Sequence, residues 1–353
     1  MIAGSATTTF DFFLQWHLTE RCNLRCRHCY QGELVIDEMS PDAVKHEIDG
    51  ATEMFQAWEA EYDVTVAPSI HFTGGEPLLY EGLWDVVAYA RQQGYAVALM
   101  SNGCLVTAAD AQRASGLGVS DIQISLEGPE GLHDSIRGTG SFQKTARGVE
   151  ILAQAGNRVN ANVTLSRLNY DSIDETLEVA KKIGCHGIGF SRVVPCGRGK
   201  ALIESLLSPQ ELKHAYQEVT ALNSPSFEVH VGDPLAGTLD AADPSVETDL
   251  TLAGCSAAFS GVTITSDGSV MPCRRIGLVA GNLKEQSLRA IWAGSDLLWQ
   301  LRRRESYHGA CGRCPHWSSC RGCRAVAYAY SVAQGKPDLF ADDPQCWIAA
   351  DQA

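Results

Sequence analysis

Cys22, Cys26 and Cys29 lie in one short stretch, Cys22-Asn23-Leu24-Arg25-Cys26-Arg27-His28-Cys29-Tyr30, and offer three thiolates with no fourth cysteine nearby. A structural zinc site closes its tetrahedron with four protein ligands. Three thiolates on a cubane iron-sulfur cluster instead leave one iron open to a substrate or cofactor. The same spacing also suits a zinc knuckle that borrows His28, or an ordinary buried loop. Far downstream comes a second set: Cys255, Cys273, Cys311-x2-Cys314-x5-Cys320-x2-Cys323 and Cys346. Paired C-x2-C units of this kind are typical zinc ligands and equally serve clusters.

The first stretch resembles the signature of the radical S-adenosylmethionine (radical SAM) enzymes, a C-x3-C-x2-C loop with an aromatic residue before the last cysteine, here His28. That resemblance implies an open iron that chelates the amino and carboxylate groups of S-adenosylmethionine, and an electron transfer that releases a 5'-deoxyadenosyl radical. Thr73-Gly74-Gly75-Glu76-Pro77 matches the family's GGE motif, in which backbone and carboxylate oxygens receive the ammonium group of the cofactor. Gly74, Gly75 and Glu76 are expected there. Ser101-Asn102-Gly103 and Ser125-Leu126-Glu127-Gly128-Pro129, followed by His133-Asp134 and Arg137, also match the family's order. By resemblance Ser101, Asn102 and Ser125 contact the cofactor and Arg137 pairs its carboxylate, for which a planar, permanently charged fork is suited. The usual aspartate of the serine loop is Glu127 here, and no role is carried onto it. As plain residue chemistry Arg137 reads equally as a surface ion pair.

The downstream cysteines, with Gly268 ahead of Cys273, resemble the seven-cysteine SPASM extension, the last spacing being one residue shorter than the common form. The family's interleaved pattern implies that Cys311, Cys314, Cys320 and Cys346 ligate an outer auxiliary cluster, and that Cys255, Cys273 and Cys323 hold an inner one. With the first loop this makes three 4Fe-4S clusters. Seven thiolates cannot fill eight positions, so the inner cluster either recruits another ligand or exposes an iron, and the sequence leaves both open. Val194-Pro195-Cys196-Gly197-Arg198-Gly199 resembles a loop of branches that carry this extension, and Cys196 is the one candidate for catalysis.

These motifs need a scaffold that gathers them. Apolar runs alternate with helical patterns up to about residue 230, which argues for βα repeats on a parallel sheet. Ser40 caps a first helix whose apolar stripe is Val44, Ile48, Ala51, Phe55 and Trp58, and Ser208-Pro209-Gln210-Glu211 reads as a capping box. Strands are expected near 13–18, 69–73, 95–101, 121–126, 160–166 and 187–193, and every motif up to the Val194 loop follows one of them. The fold class is therefore α/β: a partial (β/α)6 TIM barrel with its chemistry at the carboxyl ends of the strands, joined to a cysteine-rich SPASM domain. Residues 1–232 form the barrel. Residues 233–250, with Asp233, Asp240, Asp243, Glu247 and Asp249 and no aromatic residue, read as an acidic surface connector, and 251–353 form the auxiliary-cluster domain.

At 353 residues the chain has room for both, and a formal net charge of −14 argues against an electrostatic grip on nucleic acid or an anionic membrane. Arg302-Arg303-Arg304 reads as a solvated helix face. No stretch approaches the roughly 18 apolar residues of a membrane span, and no signal peptide is evident. A cytoplasmic location is expected, where 13 cysteines serve metal or catalytic roles rather than disulfides.

The implied activity is hydrogen abstraction coupled to an electron sink, with peptide maturation leading: a thioether, a carbon-carbon crosslink or a dehydrogenation on a ribosomally made peptide. Because 21 residues precede Cys22, any leader would be held by a separate protein or by the barrel. Flavodoxin or ferredoxin is the expected electron donor. The sulfatase-maturase branch has an aspartate after the second SPASM cysteine, whereas Arg274 and Arg275 follow Cys273 here. With Arg198, those arginines suit a second reading, a tetrapyrrole side-chain enzyme of the haem or haem d1 type. A third reading is a non-catalytic iron-sulfur electron carrier or scaffold.

Overall fold

The computed structural model describes residues 8–32, 37–239 and 254–350. Strands β1 (Thr8–Thr19), β2 (Val64–Gly74), β3 (Ala96–Ser101), β4 (Asp121–Ser125), β5 (Val159–Leu165), β6 (Gly187–Arg192) and β7 (Glu228–Val231) pair in chain order and run parallel. Helices α1 (Pro41–Tyr62), α2 (Leu83–Gln92), α3 (Ala108–Gly116), α4 (Glu130–Arg137), α5 (Ser141–Gln154), α6 (Ile173–Ile183) and α7 (Pro209–Ala221) fill the crossovers. Successive strand residues face opposite sides, and β1 shows the result. Phe12 turns outward onto Phe55 and Trp58 of α1, while Gln15 and His17 face a cavity inside the barrel.

The expected α/β partial barrel is present, with helix starts where the sequence signals them. The Ser40 side chain accepts from Ala43 N at 3.2 Å. Ser208 and Glu211 close their reciprocal box at 3.3 and 2.8 Å. Val44, Ile48, Ala51 and Phe55 are buried, and Trp58 is partly so. A seventh strand, β7, exceeds the six expected. It has four residues, of which Glu228 and His230 are exposed, so its identity comes from pairing with β6 rather than from an apolar run.

The cysteine-rich part does not form a sheet of its own. Strand β8 (Gly261–Ile264) pairs parallel with β1, and β9 (Ser269–Met271) and β10 (Gly281–Asn282) extend it antiparallel, giving the order β10-β9-β8-β1-β2-β3-β4-β5-β6-β7. Helices α8 (Leu288–Gly294), α9 (Asp296–Arg302), α10 (Gly309–Arg313), α11 (Arg324–Ala333) and α12 (Trp347–Ala350) follow. Among the described residues no helix is long and apolar enough to cross a membrane.

Two readings of charge need correction. Arg302 is not a solvated side chain: it donates to the carbonyls of Ala258 at 2.7 Å and Trp292 at 3.0 Å and lies over the Trp292 ring. Asp233, the first acid of the expected surface connector, is buried, and residues 240–253 of that connector lie outside the described residues. Asp233 accepts from Arg192 Nε at 2.6 Å. The other side of the same guanidinium donates to Asp343 at 2.8 and 2.5 Å.

This knot joins the end of β6 to the last turn before Cys346. Arg192, Asp233 and Asp343 are 2%, 3% and 0% exposed in their side chains, so each charge relies on the others rather than on water. Burial pushes the Asp343 carboxyl up, and Arg192 together with the amides of Cys323 and Gln345 outweighs it and holds the group below its usual range. Arg192→Met strands two buried carboxylates, so it should destabilise the protein by about 3–5 kcal/mol, read as a lower guanidinium midpoint. Adding Asp233→Asn and Asp343→Asn should recover part of that loss, and a wild-type midpoint in Arg192→Met would contradict the knot's structural role.

Candidate active site

The carboxyl ends of the barrel strands open onto a cavity of about 380 Å³. Cys22, Cys26 and Cys29 line it together with Gly74, Gly75, Ser101, Asn102, Ser125 and Arg137. Sequence-distant motifs therefore converge as expected. Glu76 is the exception, being fully buried behind the wall rather than part of it.

Backbone contacts hold the cysteine loop from several sides. Gly75 N donates to Thr19 O at 2.7 Å and Glu76 N to Arg21 O at 2.8 Å. A Cβ on Gly75 would stand 2.2 Å from the Arg21 carbonyl oxygen, so only glycine permits the approach. Arg27 N donates to Ile136 O of α4 at 2.9 Å. On the far side the Val194–Gly199 loop clamps the last cysteine: Arg198 N and Gly199 N donate to the carbonyls of Gln31 and Cys29 at 3.1 and 3.0 Å. Gly197 sits at φ +55°, where a Cβ would meet Tyr30 O at 2.2 Å.

Two buried carboxylates organise the wall. Glu76 accepts from Ser101 Oγ at 2.8 Å, Asn102 N at 2.9 Å and Leu78 N at 3.2 Å, which locks the GGE turn to the loop after β3. Burial is the dominant influence on Glu76 and lifts its carboxyl to about 7 against those donors. Glu127, on which the sequence placed no role, accepts from Arg137 Nε and Nη2 at 2.9 and 2.6 Å and from Thr164 N at 3.0 Å, with His28 Nε2 also 3.0 Å away. Burial pushes Glu127 up, and the charges of His28 and Arg137 outweigh it and bring the carboxyl to about 2. Arg137 is thus buried and held by its own chain rather than lying in a surface pair, with Nη1 left 3.7 Å from Cys26 Sγ.

The donor set fits an iron-sulfur cluster with one open iron. Each thiol has an N–H neighbour: Leu24 N at 3.5 Å from Cys22, Arg137 at 3.7 Å from Cys26, and Gln31 N at 3.4 Å from Cys29. His28, the residue a zinc knuckle would borrow, is engaged by Glu127. Burial lifts the Cys26 thiol to about 11 against the pull of Arg137, so ionisation there waits for a metal to replace the proton.

The seven downstream cysteines divide between two further cavities. Cys255, Cys273 and Cys323 line one of about 440 Å³, and Cys311, Cys314, Cys320 and Cys346 line one of about 130 Å³. These are the two sets the family pattern implies. Among the described residues no three His, Cys, Asp or Glu side chains converge tightly enough for a single metal ion; the thiols ring a space instead. Asp233, the one carboxylate on the three-cysteine cavity among the described residues, is already held by Arg192. Residues of β1, β7 and β8 line this cavity, which shares Gln15, Gly232 and Arg275 with the first. Cys196 is partly buried and lines neither.

Several residues in and behind the wall had no sequence signal. Glu20 accepts from Arg274 at 3.0 Å and from Gln31 at 2.8 Å, which ties the first cysteine loop to the residue after Cys273. Strand β1 presents Gln15 and His17 inward. In the sequence these were visible only as polar interruptions of an apolar run, and alternation along β1 is the clue that could have found them.

The chain matches the radical SAM superfamily over residues 16–180 and an iron-sulfur cluster-binding domain, SPASM, over residues 255–315. The mycofactocin maturase MftC of Mycobacterium tuberculosis is 30% identical over 342 residues, covering 94% of this chain and 82% of that protein. The AdoMet-dependent heme synthase of Methanosarcina barkeri is 29% identical over 97% of both chains. In structure, Streptococcus suis SuiB bound to the precursor peptide SuiA superposes with a TM-score of 0.70 at 17% identity, over 94% of this chain and 75% of that one. The convergent motifs and these relatives lead to one conclusion: the chain belongs to the radical SAM superfamily, with a SPASM domain, and is an enzyme that binds 4Fe-4S clusters and S-adenosylmethionine.

Proposed function

We propose that this enzyme modifies a ribosomally synthesised peptide, making a thioether, a carbon-carbon crosslink or a dehydrogenated residue. The observation that carries this reading is the state of the arginines around the cavity. A carboxylate-rich tetrapyrrole calls for several free cations, yet Arg274 is paired with Glu20 and Arg275 lies against the Cys273 thiol, which leaves Arg198, held through Nε by Cys26 O at 3.3 Å, as the cation with no carboxylate partner among the three. The remaining wall includes uncharged hydrogen-bonding side chains, Gln15, Gln123, Asn162, Thr164 and Ser191, which suit peptide amides. The relative named as a maturase supports the same class.

In this reading residues 1–232 act as the barrel and 251–353 as the auxiliary-cluster domain, separated by the 233–250 connector. Cys22, Cys26 and Cys29 hold one cluster, Cys255, Cys273 and Cys323 the inner auxiliary cluster, and Cys311, Cys314, Cys320 and Cys346 the outer one. The first cluster and S-adenosylmethionine, when bound, supply a 5'-deoxyadenosyl radical that takes hydrogen from the substrate. Gly74 and Gly75 face the ammonium of the cofactor, while Ser101, Asn102 and Ser125 receive its remaining polar groups. Glu76 acts behind them by fixing the Ser101–Asn102 loop. Glu127 orients Arg137 so that its remaining N–H groups serve both Cys26 and the cofactor carboxylate. A cytoplasmic site and a flavodoxin or ferredoxin donor complete the reading, with any leader held by a separate protein or by the barrel.

A second reading, modification of a tetrapyrrole side chain, is favoured by the heme synthase relative, which matches along 97% of both chains. Anaerobic incubation of reconstituted enzyme with S-adenosylmethionine, dithionite, peptides encoded beside its gene and a carboxylate-bearing porphyrin offered together separates the two by mass spectrometry. The expected outcome is 5'-deoxyadenosine together with a peptide lighter by two hydrogens. An unmodified peptide beside a decarboxylated porphyrin would reverse the order of the readings.

The three-cluster assignment has its own test. Reconstituted protein should carry about twelve iron atoms per chain, and Cys255→Ala with Cys273→Ala and Cys323→Ala should remove about four of them. Colourless protein loaded with zinc would contradict the assignment.

A further inference from the structure

His17 on β1 is 0% exposed, and neither of its ring nitrogens has a hydrogen-bond partner. Buried polar side chains in native proteins are almost always paired, and the exceptions call for an explanation such as a ligand. Here the ring lines the active cavity, so its partner is a group that the cavity holds.

The surroundings leave a lone pair on offer. Tyr30 packs edge-on with ring centroids 5.7 Å apart, and the Gly74 carbonyl lies beside the ring, favouring an N–H on that side without reaching hydrogen-bond geometry. Burial first and Arg274 second push the imidazole pKa down to about 3. The ring is therefore neutral, with one nitrogen able to accept. Its position separates it from the cofactor motifs: Ser101, Ser125 and Arg137 come from β3, β4 and α4, whereas His17 stands on β1, beside Arg274 of the cysteine-rich part. Gln15, two residues along the same face, lines both the active cavity and the three-cysteine cavity. The column Gln15–His17 thus borders the space between the radical-generating loop and the inner cysteines, where a substrate must lie.

We propose that His17 contacts the substrate and helps to select it, its free ring nitrogen accepting a hydrogen bond from an N–H, O–H or S–H of the bound peptide. This rests on the peptide reading above. The test is equilibrium binding of fluorescent peptides encoded beside the gene to anaerobic holoenzyme with S-adenosylmethionine and no reductant, so that nothing turns over. His17→Phe should weaken peptide binding by about ten- to a hundredfold, leave S-adenosylmethionine binding within about twofold, and keep the iron content of wild type. His17→Gln, which retains an acceptor, should restore most of the affinity.

Wild-type peptide affinity in His17→Phe would overturn the proposal. Equal weakening of peptide and S-adenosylmethionine would overturn it too, as would a His17→Gln as poor as His17→Phe, because shape rather than hydrogen bonding would then be at work. Failure of the underlying reading looks different: the wild-type holoenzyme itself binds none of the peptides, and the proposal falls with it.

Discussion

Burying sulfur that bound clusters would ionise is the constraint from which the rest of the structure follows. Ten cysteines gather in three sets inside a chain whose formal net charge is −14, so each set needs local positive charge or N–H donors that the bulk composition does not provide. An arginine stands beside one thiol of every set: Arg137 at 3.7 Å from Cys26, Arg324 at 3.6 Å from Cys311, and Arg275 against Cys273. Two of these arginines are anchored in turn, Arg137 by Glu127 and Arg324 by the Leu339 and Ala341 carbonyls. A guanidinium fixed in this way neutralises charge without needing water, and its distance from a sulfur also tunes the potential of any cluster held there.

The same logic binds the two parts of the chain into one working unit. Strand β8 lies on β1, Arg274 reaches Glu20 beside the first cysteine loop, and Arg192 is shared by Asp233 and Asp343. Those connections hold the three-cysteine cavity against the active cavity across a common wall of Gln15, Gly232 and Arg275. In the proposed reaction such adjacency would keep the substrate radical close to the inner cysteines and any cluster they hold.

Much of this was legible in the sequence, and the reasons for the rest are physical. The βα alternation, the Ser40 and Ser208 caps and the cysteine spacings depend on local chemistry, so they could be read directly. Strand β7 could not, because four residues with two exposed polar side chains carry no apolar pattern of their own. Asp233 in an acid-rich stretch and Arg302 in an arginine run both looked solvated, yet each is drawn inward by a partner far away in sequence, Arg192 and the Ala258 carbonyl. Glu127 stood as a departure from the family pattern. In three dimensions its extra reach lets it hold Arg137 and His28 together. His17 was hidden because its significance lies in what it fails to bond, and only a folded barrel makes that visible.

The central claim is an iron left open at the Cys22–Cys29 loop that takes the amino and carboxylate groups of S-adenosylmethionine. Electron-nuclear double resonance on the reduced cluster tests it most directly, using cofactor labelled with 15N at the amino group and 17O at the carboxylate. The account predicts hyperfine coupling from both labels, lost when Cys26 is replaced by alanine. A reduced cluster whose spectrum carries no coupling from either label would contradict it.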